Sequence, residues 1–357
     1  MADTKLYLRP VGLLCGATAS AALSANLALP LAGGTLAFTA AELIEGTPRK
    51  AKKRLFPAKD LAASRDAGLA ELLEQVTAKR PLFAGLRLER PLLMGVVNVT
   101  PDSFSDGGLY DTKEEAITHA ATLARAGAAI VDIGGESTRP GSDAVEMSDE
   151  LSRVIPVIEG LKGFSAAISI DTRKASVARA AAKAGAAIFN DVSALTYDVG
   201  GLKAAAETGM SVVLMHAKGE PKTMQDDPRY DDVVLEVYDY LEERVKAASA
   251  AGIGLEKIAV DPGIGFGKTI AHNLALMANL SLFHGLGVPI LVGASRKRFI
   301  GEVSQKHEPR LREPGSHAAA IAAASQGVQM LRVHDVAGTA QALEVWRLAV
   351  TGGAEKQ

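Results

Sequence analysis

From about residue 91 onward, short apolar runs alternate with longer stretches of mixed character. The runs are Leu92–Asn98, Ala129–Ile133, Ala167–Asp171, Ala186–Asn190, Ser211–Met215, Lys257–Asp261, Pro289–Gly293 and Val328–Arg332. They are apolar nearly throughout, as strands covered on both faces must be, whereas a half-solvated strand would alternate. Ala-rich amphipathic stretches follow them, beginning near Thr112, Ser148, Arg173, Asp198, Tyr230, Ile270, Pro314 and Ala337. Gly127, Gly185, Gly209, Gly252 and Gly327 stand where helices end. Eight strand-then-helix units over ~260 residues predict an α/β fold, the closed (β/α)8 TIM barrel, whose usual length is about 250. An open doubly wound sheet would have fewer strands and a switch point.

The pattern places the barrel at residues 91–352, with a tail at 353–357. Residues 1–90 form an N-terminal extension of unknown role, partly helical around Ala62–Ala78. Within it, residues 11–41 carry no charge and follow Lys5 and Arg9. Gly12, Gly16, Asn26, Pro30, Gly33 and Gly34 interrupt this stretch and its apolar residues are mostly Ala, so it makes a poor membrane span. It is expected to be a buried or interfacial small-residue segment, with a cleaved signal peptide as the alternative. Cys15 follows Leu14, where a lipoprotein cleavage site would want a small residue, and reads as a packing cysteine.

Composition narrows the function classes. With 39 Lys+Arg against 41 Asp+Glu the formal net charge is −2, which leaves no basic surface for a nucleic acid. At 48% hydrophobic and 22% charged the chain can build a large core. A single cysteine excludes a disulfide framework or a multi-cysteine metal site and fits a reducing compartment, so a cytoplasmic location is expected.

A barrel concentrates its chemistry at the C-terminal ends of its strands, and polar residues gather there in this chain. The first strand runs into Asn98-Val-Thr-Pro-Asp-Ser-Phe-Ser-Asp-Gly-Gly108, with an amide and the acids Asp102 and Asp106. The second runs into Gly134-Gly-Glu-Ser-Thr-Arg-Pro-Gly141, where glycines admit a ligand and Thr138 and Arg139 can bind an anion. Asp171, Asn190 with Asp191, Met215 with His216, and Asp261 close the next four strands. Ionised carboxylates only accept hydrogen bonds, so these ends suit a ligand presenting N–H donors, such as an amino-substituted heteroaromatic ring. The alternative is that Asp171 or Asp191 merely caps the helix that follows.

Asp261-Pro-Gly-Ile-Gly-Phe-Gly-Lys-Thr269 mimics a P-loop, but Pro262 stands where the first glycine is required. Lys268 likewise occupies the last glycine position of a dinucleotide fingerprint, so neither nucleotide is expected. The glycines are expected to shape a loop under a flat ligand, with Phe266 as a packing surface. Strand seven ends in Ser295-Arg-Lys-Arg298 and strand eight in Arg332-Val-His-Asp335, near where barrels often bind phosphate. Alternation puts Arg332 and His334 on one side. The remaining candidates, His216, His272, His284, His307 and His317, read as structural histidines.

In order along the chain, Asn98-Val-Thr-Pro-Asp-Ser-Phe-Ser-Asp-Gly-Gly, Gly-Gly-Glu-Ser-Thr-Arg-Pro-Gly, Ile-Asp-Thr, Asn-Asp-Val-Ser, Leu-Met-His, Asp-Pro-Gly-Ile-Gly-Phe-Gly-Lys, Ser-Arg-Lys and Arg-Val-His-Asp resemble the dihydropteroate synthase family of pterin-binding barrels. The likeness spans about Pro91 to Leu348 and leaves residues 1–90 without a counterpart. It implies condensation of a dihydropterin diphosphate with p-aminobenzoate, with Mg²⁺ as cofactor and no nucleic-acid or membrane partner. By the same resemblance, Asp171, Asn190, Asp261 and Lys297 would line the pterin, between Met215 and Phe266. Asn98, Arg139, Arg332 and His334 would hold diphosphate, Asn98 also sharing the Mg²⁺. Phe104, Thr138, Arg139, Pro140 and Ser295, together with Lys297, would shape the p-aminobenzoate site. Asp106, Lys297, Arg332 and His334 would serve catalysis, and a homodimer is expected. Two alternatives share the barrel: a methyltetrahydrofolate-binding methyltransferase domain, which would not need the diphosphate set, and a noncatalytic pterin-binding paralogue.

Overall fold

The computed structural model describes residues 5–99, 109–137, 142–220 and 222–353. The chain opens with β1 (Leu6–Leu14), α1 (Gly16–Ser24), β2 (Leu29–Pro30), β3 (Ala37–Thr47), β4 (Lys50–Pro57), α2 (Ala58–Ala62) and α3 (Ala67–Thr77). β3 is the spine of a small antiparallel sheet, pairing with β1 along one edge and with β2 and β4 along the other. The helix expected around Ala62–Ala78 is α3, preceded by the short α2, and it starts where the Asp66 carboxylate accepts the Leu69 amide at 2.8 Å.

This sheet is covered on both sides. Leu8, Phe38, Ala41 and Leu43 pack with Leu61, Leu69 and Val76 of α2 and α3. Tyr7 and Ile44 join the main barrel core instead. Residues 11–41, read above as a buried or interfacial small-residue segment, fold as the end of β1, α1, β2 and the start of β3, and α1 buries only Ala19.

The barrel follows: β5 (Leu92–Asn98), α4 (Leu109–Arg125), β6 (Ile130–Gly134), α5 (Met147–Gly160), β7 (Ala167–Asp171), α6 (Ala175–Ala184), β8 (Ile188–Asp191), α7 (Gly201–Thr208), β9 (Ser211–Met215), α8 (Val233–Ala250), β10 (Ile258–Asp261), α9 (Ile270–Ala278), β11 (Leu291–Val292), α10 (Arg298–Ser304), α11 (Glu313–Ala324), β12 (Met330–Val333) and α12 (Val336–Thr351). The eight strands are parallel in the order β10-β9-β8-β7-β6-β5-β12-β11, and a bridge from Val260 to Ile290 closes the ring. All eight expected strands are present. The seventh shrinks to two residues because its run begins at Pro289, which has no N–H for a ladder. The unit after it carries an additional helix, α10, ahead of the one expected near Pro314.

The N-terminal mouth is plugged from below. Phe83 and Leu86 exchange backbone hydrogen bonds in a tight hairpin. Phe83, fully buried, packs among Met94, Ile130, Ile188, Val213, Ala259, Leu291 and Met330, which point into the barrel from seven different strands. Arg80 is buried beside this floor and donates to the Gln75 and His284 carbonyls at 2.8 and 2.9 Å. Above this floor, the strand ends at the C-terminal face form the cleft.

Candidate active site

Parallel strands in register bring their last residues to one level. Asn98 pairs with Gly134, Gly134 with Asp171 and Asp171 with Asn190. A Cβ on Gly134 would lie 3.6 Å from Asp171 Cβ and 3.9 Å from Asn98 Oδ1, so this glycine keeps the rim open between them. Across the mouth, Gly293 faces Arg332 and the Asp261 carboxylate, the latter at 4.0 Å from a notional Cβ.

The centre of the cleft is a charge network. Arg332 Nε donates to Asp132 Oδ2 at 2.7 Å and Arg332 Nη2 to Asp171 Oδ2 at 2.8 Å. Asn190 Nδ2 donates to the same Asp132 oxygen at 3.1 Å, which fixes the amide so that its carbonyl oxygen stays available. Asp132 is fully buried. Nothing in the sequence singles it out beyond a lone carboxylate inside the apolar run Val131-Asp132-Ile133, and that signal would have found it. Arg332 therefore ties Asn190, Asp132 and Asp171 into one unit.

Two carboxylate oxygens in this unit, Asp171 Oδ1 and Asp132 Oδ1, are buried with no hydrogen-bond partner. Leaving a buried acceptor unpaired costs about 1–3 kcal/mol, so such atoms point to a missing donor. Burial pushes the Asp171 carboxyl up to about 7, against the pull of the Arg332 guanidinium. Burial also raises Asp261 to about 6, opposed by the Gly263 amide, which donates to its Oδ1 at 2.7 Å, and by Lys297. Burial disfavours the Arg332 cation, but the charges of Asp132 and Asp171 prevail and hold its pKa above the usual range.

Side walls complete the cleft. Lys297 Nζ sits 4.0 Å over the Phe266 ring, a cation–π contact that seats the amine beside the β10–α9 loop. Met215 is buried at the end of β9, under Gly263. Ser295 Oγ meets His334 Nδ1 at 3.0 Å and accepts the His334 amide at 3.3 Å, tying strand ends seven and eight together. Arg296 between Ser295 and Lys297 holds a left-handed φ of +59°, fastened by its amide to Ser316 Oγ at 3.0 Å and by its side chain to Glu313.

The structure thus gathers Asn98, Asp171, Asn190, Met215, Asp261, Phe266, Ser295, Lys297, Arg332 and His334 around one mouth. Phe104, Asp106, Thr138, Arg139 and Pro140 lie outside the described residues. Asp191 turns away: its carboxylate accepts Ser193 and Leu195 amides at 2.7 and 3.0 Å and shapes the loop after β8. Glu136 is a buried anchor at the base of the second loop, paired with Arg173 and Lys174 at 2.9 Å each.

Asn98 offers a neutral oxygen at the rim, half-buried next to Asp171. Mg²⁺ takes few protein ligands and completes its octahedron with water and phosphate oxygens, so this donor set fits a cation that arrives with a diphosphate. In the trio Glu313, His317 and Asp335, close enough to share an ion, Glu313 is paired with Arg296, His317 with Asp335, and Asp335 also accepts the Gly338 amide.

Residues 94–334 match the pterin binding enzyme family. The chain is 50% identical over 268 residues to the dihydropteroate synthase of Escherichia coli (strain K12), covering 74% of this chain and 94% of that one. It is 47% identical over 249 residues to that of Bacillus subtilis (strain 168), 70% of this chain and 85% of the relative. Among solved structures, Xanthomonas albilineans dihydropteroate synthase with 4-aminobenzoic acid superposes at a TM-score of 0.71 and 50% identity, over 76% of this chain and 97% of that one. The same enzyme in complex with 7,8-dihydropteroate gives 0.68 at 47% identity, over 76% and 97%. The chain belongs to the pterin-binding enzymes, among the dihydropteroate synthases.

Proposed function

We propose that this barrel condenses a 6-hydroxymethyl-7,8-dihydropterin diphosphate with p-aminobenzoate, giving 7,8-dihydropteroate and diphosphate. The observation that carries the reading is the unpartnered Asp171 Oδ1, buried beside Asn190 and across the mouth from Asp261. A pterin edge presents an amino group next to ring N–H donors, and such an edge answers this set of acceptors.

In this reading Asp171, Asn190 and Asp261 hold the ring edge, Lys297 donates from the rim, and Met215 and Phe266 are the apolar walls. Arg332, already carrying two carboxylates, presents its remaining N–H groups toward diphosphate with His334, Asn98 and Arg139. Ser295 and Lys297, with Phe104, Thr138, Arg139 and Pro140, shape the p-aminobenzoate site. The aniline nitrogen forms a bond to the pterin methylene as the C–O bond to diphosphate breaks, and the nitrogen's proton leaves to solvent. An aniline needs no strong base, so the demanding part is the negative charge growing on the leaving group. Cationic donors fixed beforehand stabilise that charge without reorganising. Mg²⁺ held through Asn98 would supply further neutralisation there. Asp106 would stabilise cationic character on the methylene in a dissociative route.

Mixing the purified protein with both substrates and Mg²⁺ tests this directly: stoichiometric diphosphate and dihydropteroate are expected. Pterin binding without turnover would assign a noncatalytic paralogue, and binding of methyltetrahydrofolate in place of the diphosphate would assign the methyltransferase-type domain. Two copies are proposed to associate, and α12 leaves Val345 63% and Leu348 40% exposed. Sedimentation at micromolar concentration would show a single-copy species if that assembly is wrong.

A further inference from the structure

The β10–α9 loop contains a buried amine that the mechanism above does not use. Lys268 is 3% exposed. Its amine lies 2.9 Å from His216 Nδ1 and donates to the carbonyls of Gly263 at 2.8 Å, Phe266 at 3.0 Å and His216 at 3.3 Å. A P-loop lysine would face phosphate, but this one is turned inward, wrapped by the loop that carries it.

The wrapping is tight enough to require glycine. A Cβ on Gly263 would sit 1.8 Å from the His216 carbonyl oxygen, and one on Gly267 2.1 Å from that of Lys218, both at positive φ. Other side chains pin the outside of the same loop: Asn273 accepts the Gly265 amide at 2.6 Å, Gln225 donates to the Gly265 carbonyl at 2.6 Å, and Tyr230 to that of Gly267 at 2.8 Å. Lys268 ties it from the inside and joins it to the exit of β9.

What the loop carries matters for the ligand. Gly263, whose carbonyl Lys268 holds, donates its amide to Asp261 Oδ1. Phe266, whose carbonyl Lys268 also holds, presents the ring on which Lys297 rests. One buried amine therefore anchors the two residues that donate to a ring-edge acceptor and form a wall of the pocket. Burial pushes the Lys268 amine well below the ordinary lysine range; the Asp261 carboxylate opposes that shift, and a charged Lys268 in turn favours the ionised Asp261.

We propose that Lys268 is a positioning residue for pterin recognition: without touching the ligand, it fixes the β10–α9 loop from within so that Asp261 and Phe266 meet the ring. The inference rests on reading the cleft as a pterin pocket. If that reading fails, the unsubstituted protein binds no pterin; if this one fails, it binds pterin and the substitution leaves binding alone.

Lys268→Met keeps the apolar stem and removes the donors. Calorimetry with a pterin lacking the diphosphate is expected to show affinity lowered about tenfold or more, the scale of a buried polar set left mispaired. Binding of Mg²⁺-diphosphate, read above as held by Asn98, Arg332 and His334 rather than by this loop, is expected to stay within about twofold. In turnover, KM for the pterin diphosphate should rise while kcat at saturation changes little, because what is lost is ground-state binding. Unchanged pterin affinity, or an equal loss for pterin and diphosphate, or a fall in kcat with KM unmoved, overturns the proposal. Should Lys268→Met not fold, His216→Leu, which removes the side chain linking the amine to β9, carries the same pair of binding measurements. A loss of about fivefold or more confined to pterin supports the proposal, and unaltered pterin binding overturns it.

Discussion

Burial in the barrel mouth raises the carboxyls of Asp171 to about 7 and Asp261 to about 6, so both change charge near neutrality. Their ionised forms accept the ring donors, and affinity for a pterin without diphosphate is therefore expected to rise with pH through about 6 to 7. Stability of the ligand-free protein runs the other way. Unfolded, both acids titrate near 4, so from there to about 7 the folded state holds more protons, and stability falls as pH rises. Calorimetry across that range, paired with melting curves in the absence of ligand, checks the two opposite slopes; parallel slopes would refute the assignment. Asp261→Asn replaces one acceptor by a donor and should weaken pterin binding by ~5- to 150-fold, equivalent to about 1–3 kcal/mol. It should also flatten part of the pH dependence. Asp106→Ala, acting on charge present only as the C–O bond breaks, should leave pterin diphosphate binding nearly intact and slow single turnover by ~10²-fold or more.

At the scale of elements, the floor of the barrel is one hairpin with one aromatic plug. Phe83→Ala would leave a cavity among seven inward side chains, at a cost of about 3–5 kcal/mol. The expected result is a lower denaturation midpoint, with near-normal turnover below it because the plug lies at the opposite end from the cleft. A midpoint within error of the parent would mean the floor is held by something else. The barrel strands were legible because both of their faces are buried and the runs stay apolar from end to end. The strands of the extension were not. β1 sends Tyr7 to the barrel and Leu8 to α3, so no polar face marks it. β4, Lys-Ala-Lys-Lys-Arg-Leu-Phe-Pro, is a largely exposed edge whose lysines resemble a charged helix or linker. At the mouth, position alone marked the strand ends but not which of them face the cleft, since Asp191 turns into its own loop and His216 toward Lys268. Asp132 and Lys268 were harder to read because their partners, Arg332 and His216, lie 200 and 52 residues away in the chain.

For the whole molecule, the question is whether residues 1–90 are an appendage or part of the barrel's support. A self-contained barrel would let a chain beginning around Ala84 fold and bind pterin. The contacts argue against that outcome. Tyr7 packs edge-on against Tyr238 at 5.2 Å and donates to Asp239 at 2.9 Å, and Ser281 donates to the Pro10 carbonyl at 2.8 Å. Tyr238 and Phe283, on the barrel side of this seam, are 1% and 0% exposed. Stripping the layer would bare aromatic surface worth about 1.5–3 kcal/mol for each fully uncovered side chain. It would also remove Phe83 and leave the His284 carbonyl without its Arg80 donor. Against a net stability of 5–15 kcal/mol typical of a folded domain, such losses are not small. A chain from Ala84 is therefore expected to be aggregation-prone or to melt well below the parent. One from Lys79, which keeps Arg80 and Phe83, should recover part of the difference, since it restores the floor but not the side layer. The ranking by melting temperature, full chain above Lys79 start above Ala84 start, is the outcome to look for. If the chain from Ala84 melts and turns over like the full one, the extension contributes nothing to the barrel, and its role would have to be sought in contacts with another molecule.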